Sequence, residues 1–324
     1  MLTYIIKRIL YAIPILIGVN LITFMLFFMV NTPDDMARAQ LGAKQTTPAM
    51  IIAWKAEKGY DKPLFYNAGA SGLQKVTDTL FVNESLKLFM FDFGLSDANR
   101  NIAEDIKARM GPSLAIALPT FLIALVTNIS LALLLVLFRG SVLDMSAMVV
   151  AVMIMSVSGL FYIIAGQVLF SKLWHWVPIS GYESGWAGVK FVFLPVAIGV
   201  FAGLGSGVRW YRSIFLEQIH QDYVRTARAK GLSEIAVLFR HVLPNGMLPI
   251  LTGVVVIIPS LFMGSLIMES FFGIPGLGSY TIDAINAQDF AIVKAMVFLG
   301  SVLYIGGLIL TDISYTLFDP RVTL

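Results

Sequence analysis

Six runs of apolar side chains constrain this 324-residue chain more than any other feature of its sequence. They are Ile9–Val30, Leu114–Phe138, Met145–Phe170, Phe191–Gly207, Met247–Met268 and Ile292–Phe318. A helix needs about 20 mostly apolar residues to cross the hydrocarbon core of a bilayer. Backbone groups in lipid must be satisfied within the chain, so runs of this length read as helices. A membrane barrel would alternate over strands of about 10 residues, and the sequence does not. Pro14, Pro119, Pro195 and Pro259 fall inside the runs, where neighbouring helices and water can satisfy the freed carbonyls. Hydrophobic residues make up 57% of the chain and charged residues 13%. Soluble domains average about 45–50% and roughly 25%. The difference excludes a soluble enzyme, a disordered chain and an ordinary nucleic-acid binder. With no cysteine there is no disulfide or thiolate, and His175, His220 and His241 are too scattered for a histidine-rich metal site.

Lysine and arginine set the orientation. With the N-terminus inside, ten basic residues are cytoplasmic: Lys7, Arg8, Arg139, Arg209, Arg212, Arg225, Arg228, Lys230, Arg240 and Arg321. Three, Lys172, Lys190 and Lys294, lie outside, and the remaining ten, in the long segment 31–113, are matched by ten acids. Loops longer than about 60 residues contribute little to the positive-inside rule. The expected fold is an all-α polytopic membrane protein with six transmembrane helices and both termini cytoplasmic. Trp174, Trp176 and Trp186 fit an outer aromatic belt. The expected division is 1–30, the N-terminal end and first helix; 31–113, an extracytoplasmic segment; and 114–324, helices two to six with a basic loop over 209–246. The start carries a basic pair and Ala37-Arg38-Ala39, as a cleaved signal does. Its apolar run exceeds a signal core of about 7–15 residues, so the first helix reads as retained.

In the outer segment, Pro48–Lys58 reads as a helix and Asp61-Lys62-Pro63-Leu64 as a turn. Gly69–Gly72 reads as a flexible break, and Ile102, Ile106 and Met110 mark a helix. The segment is either a cap over the helices or a docking or gating surface.

The loop between spans four and five is the most informative stretch. Gln218–Lys230 is rich in helix formers, and Gly231 stands where a glycine ends a helix. Ser233 can cap a second helix with Glu234 in its first turn. Ile235, Leu238, Phe239 and Val242 give that helix one apolar face, and Pro244 and Asn245-Gly246 lead into span five. This elbow is either a lever for a soluble partner or an interfacial helix held by anionic lipid.

The stretch resembles the cytoplasmic signature loop of permease subunits of binding-protein-dependent ABC importers. That pattern runs Glu-Ala-Ala, three residues, Gly, nine residues, Ile, any residue, Leu-Pro. Here Ala227, Gly231, Leu243 and Pro244 match it, while Arg225, Thr226 and His241 replace Glu, Ala and Ile. The run Asp222–Gly231 is similar to the peptide and nickel branch, as are Tyr4–Leu10, Tyr60–Leu64, Asp92–Ser96, Glu269, Ile274–Gly278 and the tail Asp319-Pro320-Arg321. The long segment after span one is similar to the B-type partner of the two permeases. Ala68–Met90 matches no signature of the family.

The resemblance implies that Asp222, Tyr223, Arg225, Thr226, Ala227, Arg228, Ala229, Lys230, Gly231, Phe239, Leu243 and Pro244 form the ATPase-coupling element. Arg225, Arg228 and Lys230 would meet acidic groups of the ATPase, and Phe239 an apolar slot. It also implies an outer gate or pathway at Glu269, Pro275, Gly276, Gly278 and Asp289. From position alone, Glu269 reads as a helix-end carboxylate in headgroup water or as a gate group facing a cationic peptide terminus. Asp289 reads as a solvated loop residue. Asp312 must face the bundle or snorkel, with Arg209 or Arg321 as a partner. Met148, Met153 and Met155 suit either a pathway or ordinary packing.

The implied partners are a second, C-type permease, two ATP-binding subunits, an extracytoplasmic solute-binding protein and the lipid bilayer, with no nucleic acid. No P-loop, His-Glu-x-x-His or serine elbow occurs, so the chain reads as non-catalytic. It has no cofactor or metal of its own; ATP and Mg belong to the partner ATPases. The expected location is the bacterial inner membrane, and the expected cargo peptides or peptide-like solutes. Alternatives are a nickel chelate or other small solute carried by the same kind of importer, or a stand-alone secondary transporter or channel.

Overall fold

A computed structural model describes residues 2–42 and 46–318. The regular structure among its described residues is helical, with one isolated bridge between Leu95 and Asn101 and no strand. The helices are α1 (Leu2–Met25), α2 (Pro33–Leu41), α3 (Pro48–Lys58), α4 (Gln74–Thr77), α5 (Leu80–Glu84), α6 (Ile102–Leu137), α7 (Val142–Ser156), α8 (Gly159–Gly166), α9 (Val189–Ile219), α10 (Asp222–Ala229), α11 (Glu234–Val237), α12 (Leu243–Ser260), α13 (Leu266–Phe272), α14 (Leu277–Ala287) and α15 (Phe290–Phe318). Five segments are long and apolar enough to span: Ile6–Val30, Ile102–Leu137, Trp186–Ile219, Glu234–Met263 and Phe290–Ser314. A bent pair, Val142–Ser156 with Gly159–Leu173, raises the number to six if counted as one.

The third expected span is therefore not one straight helix. It turns by 88° between α7 and α8. Val157 and Ser158 are extended there, with ψ of 134° and 140°. The Ser156 hydroxyl bonds back to the Val152 carbonyl at 2.8 Å, competing with the helical ladder as α7 ends. Apolar composition hid this break.

Four other expected boundaries shift. α6 runs through Gly111, Pro112 and Ser113 as one 36-residue helix, joining the expected Ile102–Met110 helix to span two. Asn101 starts it, its Oδ1 accepting the Ala103 N–H at 2.9 Å. α9 continues past Arg209 to Ile219, so the helix expected over Gln218–Lys230 is broken at His220-Gln221 and resumes at Asp222. Pro244 does not separate the second elbow helix from span five. A wide five-residue turn, Leu238–Val242, precedes α12 and absorbs the ring and the missing N–H. Span five instead ends near Met263, where Gly264 breaks the chain before α13. The tail Asp319-Pro320-Arg321 lies outside the described residues.

The chain divides into two compact units, Met1–Ala108 with Tyr280–Ile309, and Arg109–Ser279 with Leu310–Leu324. In the first, Phe24 of α1 and Phe28 of the wide turn that follows it pack with Met36, Ile51, Trp54 and Leu80 of the long segment. α3 has the bounds read from sequence, set by the Thr47 cap, Pro48 in its first turn and left-handed Gly59 at its end. Lys294 of α15 is buried, 2.5 Å from Glu84 and over the Phe28 ring. Burial pushes the Tyr60 phenol far above its ordinary range, and Glu84, Asp97 and Asp289 add to the shift. The second unit has two apolar clusters. One joins Ala132 and Val136 of α6, Phe215 and Ile219 of α9, Val224 and Ala227 of α10, Val237 and Val242. The other joins Ile116, Ile163, Leu194, Ile198, Phe272 and Ile274.

Candidate functional site

The elbow is built by two helix ends meeting at a glycine. α10 closes with the Gly231 N–H on the Arg228 carbonyl at 2.9 Å and the Leu232 N–H on the Ala227 carbonyl at 3.3 Å. This pair of bonds is the Schellman arrangement, which needs a left-handed residue. Gly231 supplies it with φ of 78°. Ser233 then caps α11, its Oγ accepting the Ala236 N–H at 3.4 Å.

Val224 and Ala227 are buried against α6 and α9 and anchor α10. The other face points away from the core. Asp222, Arg225, Thr226, Ala229, Lys230 and Gly231 are exposed, and Tyr223 is half-buried with its hydroxyl donating to Gln218 Oε1 at 2.8 Å. Asp222 and Arg225 pair at 3.2 Å on the open surface, where such a pair contributes little. Arg228 does not face outward as a free cation. Its guanidinium grips Glu234 through Nε at 2.8 Å and Nη2 at 3.1 Å. Arg139, at the end of α6, approaches the same carboxylate at 3.7 Å.

The four-residue apolar face read from sequence is split. Leu238 and Val242 are buried with Val237, while Ile235 and Phe239 are exposed. The wide turn over Leu238–Val242 rotates side chains away from their α-helical positions. Leu243 is half-buried and Pro244 exposed. A groove of about 430 Å³ lies between α10 and the following turn, lined by Tyr223, Thr226, Lys230, Leu232, Arg240 and His241.

The second constellation centres on Glu269 of α13. Its residue exposure is 1%, which corrects the expectation of a carboxylate in headgroup water. One carboxylate oxygen accepts the Ser265 N–H at 3.1 Å, and the other accepts the Ser279 N–H at 3.0 Å. Ser113 of α6 bonds the same carboxylate and accepts the Leu277 N–H at 2.8 Å. Burial pushes the Glu269 carboxyl above its ordinary range, opposed by these hydrogen bonds. The backbone approaches closely enough to require glycine. A Cβ on Gly276 would sit 2.2 Å from Glu269 Oε2 and 2.5 Å from Ser113 Oγ. One on Gly278 would sit 2.6 Å from the Ser265 carbonyl carbon. Pro275 is exposed at the tip of the loop. Glu269 is thus a knot that holds the chain from Gly264 to Ser279 against α6.

Asp289 belongs to the first unit and is also buried, which corrects its reading as solvated. It starts α15, accepting the Ile292 N–H at 3.2 Å, and its other oxygen accepts the Asp97 N–H at 2.8 Å. Burial raises its carboxyl, and these bonds pull it down. Asp312 is half-buried. Arg209 donates to the Met155 sulfur at 3.4 Å. Met153 and Met155 are exposed on α7.

Sequence reasoning missed a buried clamp. Asp144 accepts Arg212 Nε at 2.8 Å and Nη2 at 2.7 Å, and also takes the Gly140 N–H at 3.0 Å. Asp144 had a signal, an acid after Ser141 at the start of an apolar run, but its partner lay beyond the expected end of span four.

Two family models match the chain. "Binding-protein-dependent transport system inner membrane component" covers residues 128–324. "Binding-prot-dependent transport system membrane comp, N-term" covers residues 1–82. A Brucella suis biovar 1 protein bearing the name of a peptide transport system permease is 32% identical over 99% of both chains. The oligopeptide transport system permease protein AppB of Bacillus subtilis is 28% identical over 99% of both. The glutathione transport system permease protein GsiC of Shigella flexneri serotype 5b is 29% identical, again over 99% of both.

Proposed function

We propose a mechanism for this chain from one premise: it belongs to the family of binding-protein-dependent transport system inner membrane components, and is a non-catalytic, multi-pass permease subunit of an ABC importer. The cargo is a peptide or peptide-like solute. That reading draws on relatives named for peptides, oligopeptides and glutathione along nearly their whole length. The chain forms half of the pathway, pairs with a second permease, and works with ATP-binding subunits and an external solute-binding protein. ATP and Mg stay on the ATPases.

Six crossings with both termini cytoplasmic put the elbow on the ATPase side, with the bent α7–α8 pair as the third crossing. The segment 31–113 lies outside. Residues 114–324 supply the remaining crossings, and 209–246 holds the coupling loop. The observation that carries the coupling role is the two-sided build of α10. Val224 and Ala227 fix it to α6 and α9, while Arg225, Lys230, Gly231 and Phe239 stay exposed. A lever needs both a rigid root and a free grip. ATP-driven closure of the ATPases would move the elbow, and its root would carry α6 and α9 along as rigid bodies. Arg228 serves the root rather than the grip. Glu269, Gly276 and Gly278 hold the shape of the loop after span five, and Asp289 starts span six.

Gly231→Pro tests this directly. Proline fixes φ near −65° and cannot adopt the left-handed conformation at this position. The variant should insert into the membrane and still uncouple ATP hydrolysis from solute uptake. Undiminished ATP-driven uptake would remove the elbow from the mechanism.

A further inference from the structure

The coupling role leaves one part of the second unit unexplained. The turn between α6 and α7 carries Arg139, the first turn of α7 carries Asp144, and both are engaged. Arg139 reaches Glu234 at 3.7 Å, and Glu234 is gripped in two places by Arg228 of the elbow. Asp144 is gripped in two places by Arg212 of α9, and the turn's own Gly140 N–H closes on the same carboxylate. The clamps differ in setting. The Asp144 side chain is 7% exposed and Arg212 21%, whereas Glu234 is 47% exposed. A two-pronged guanidinium–carboxylate contact fixes direction as well as distance, which a single-point ammonium contact does not.

We infer that the α6–α7 turn is a transmission junction, with Glu234 and Asp144 as positioning residues for coupling. The route is contiguous. The elbow at Arg228 pulls on Glu234, and Glu234 holds Arg139 at the end of α6. A few residues on, Asp144 locks α7 to Arg212 of α9. α7 is the arm of the 88° bend, so movement of its root changes its angle to α8. The elbow thereby acts on the broken span as well as on the helices that directly bury α10. The inference takes the coupling role of the elbow as its premise.

The sequence contains no cysteine, which permits a clean test. Arg139→Cys with Glu234→Cys removes both arginine contacts of Glu234 and allows a short bis-maleimide to tie residue 234, and with it the elbow, back to the end of α6. The assembled transporter, with its ATPases and binding protein, is reconstituted in proteoliposomes, and solute taken up per ATP hydrolysed is measured. The reduced pair should lose about threefold to tenfold in that ratio, the range expected for a coupling residue. Cross-linking should restore at least half of it, which a purely structural loss does not predict. Asp144→Asn, measured on assembled complex only, should lower the same ratio while ATP hydrolysis persists. A reduced pair with the unmodified ratio overturns the junction, and so does a lowered ratio that cross-linking leaves unchanged. If the unmodified complex itself hydrolyses ATP without uptake, the coupling role fails before the junction is tested.

Discussion

Glu269 and Glu234 both close a break between helices, and they do it in opposite surroundings. Glu269 is buried, held by the Ser265 and Ser279 backbone N–H groups and by Ser113, with glycine backbone against its carboxylate. Glu234 is half exposed and held by two arginines on the surface of the elbow. The buried carboxylate has a partner, the buried Ser279 N–H, that has no alternative if it is lost. The exposed one has water as a substitute. The first arrangement suits a part of the transporter that must keep one shape. The second suits a part that must be gripped and moved. The difference also divides the residues that the sequence grouped as functional: Glu269 and Gly276 determine fold, while Arg225, Lys230 and Phe239 remain available to a partner.

The largest expected effect comes from breaking the buried side. Glu269→Ala leaves the buried Ser279 N–H without its acceptor, at about 1–3 kcal/mol, and frees the part-buried Ser265 N–H as well. Its unfolding midpoint in detergent should fall well below that of any elbow variant. Gly276→Ala should follow, since its Cβ would meet Glu269 Oε2 at 2.2 Å; overpacking of this kind costs about 1–3 kcal/mol.

A smaller effect is a pH slope. Burial raises the Glu269 carboxyl above its ordinary value, so ionisation costs more in the folded chain than in the unfolded one. Stability is unaffected by this group below the ordinary carboxylate range and falls as pH rises towards the raised value. Glu269→Gln should flatten the slope of the unfolding midpoint just above the ordinary carboxylate range. An unchanged slope would assign it to another group.

The smallest stability effect belongs to the elbow. Arg225→Ala should change the unfolding midpoint by less than about 0.5 kcal/mol equivalent, because its pair with Asp222 is open to water. The same variant should lower ATP-driven uptake. A large loss of stability with full uptake would reverse the assignment of the two regions.

Where structure follows from neighbouring residues, the sequence was legible. α3 is bracketed by Thr47, Pro48 and Gly59, and the elbow by Gly231 and Ser233; both stand as read. The long apolar stretches read as spans are helical, apart from the break within the third and the break at Gly264 near the end of the fifth. What could not be read depends on distant partners or on subtle backbone competition. Glu269 looked solvated because Ser113, which helps bury it, lies on another helix. Arg228 looked free because Glu234 was assigned only to its own helix end. The break at Val157-Ser158 has no proline and is apolar or small throughout, so hydropathy passes over it. Pro244 looked like a terminator because a wide turn just before it cannot be seen in a pattern of apolar positions.

The central claim is that the exposed face of the elbow meets an ATP-binding subunit. The most direct measurement places a single cysteine at Lys230 in this cysteine-free chain, at an exposed position beside Gly231. A photoactivatable thiol reagent is attached, and the assembled transporter is illuminated with and without a non-hydrolysable ATP analogue. The account predicts an adduct with the ATP-binding subunit whose yield changes with nucleotide. A reagent at Ala70, in the segment assigned to the outside, should give none. If Lys230→Cys labels only lipid or the second permease in both nucleotide states, the elbow is not the coupling surface.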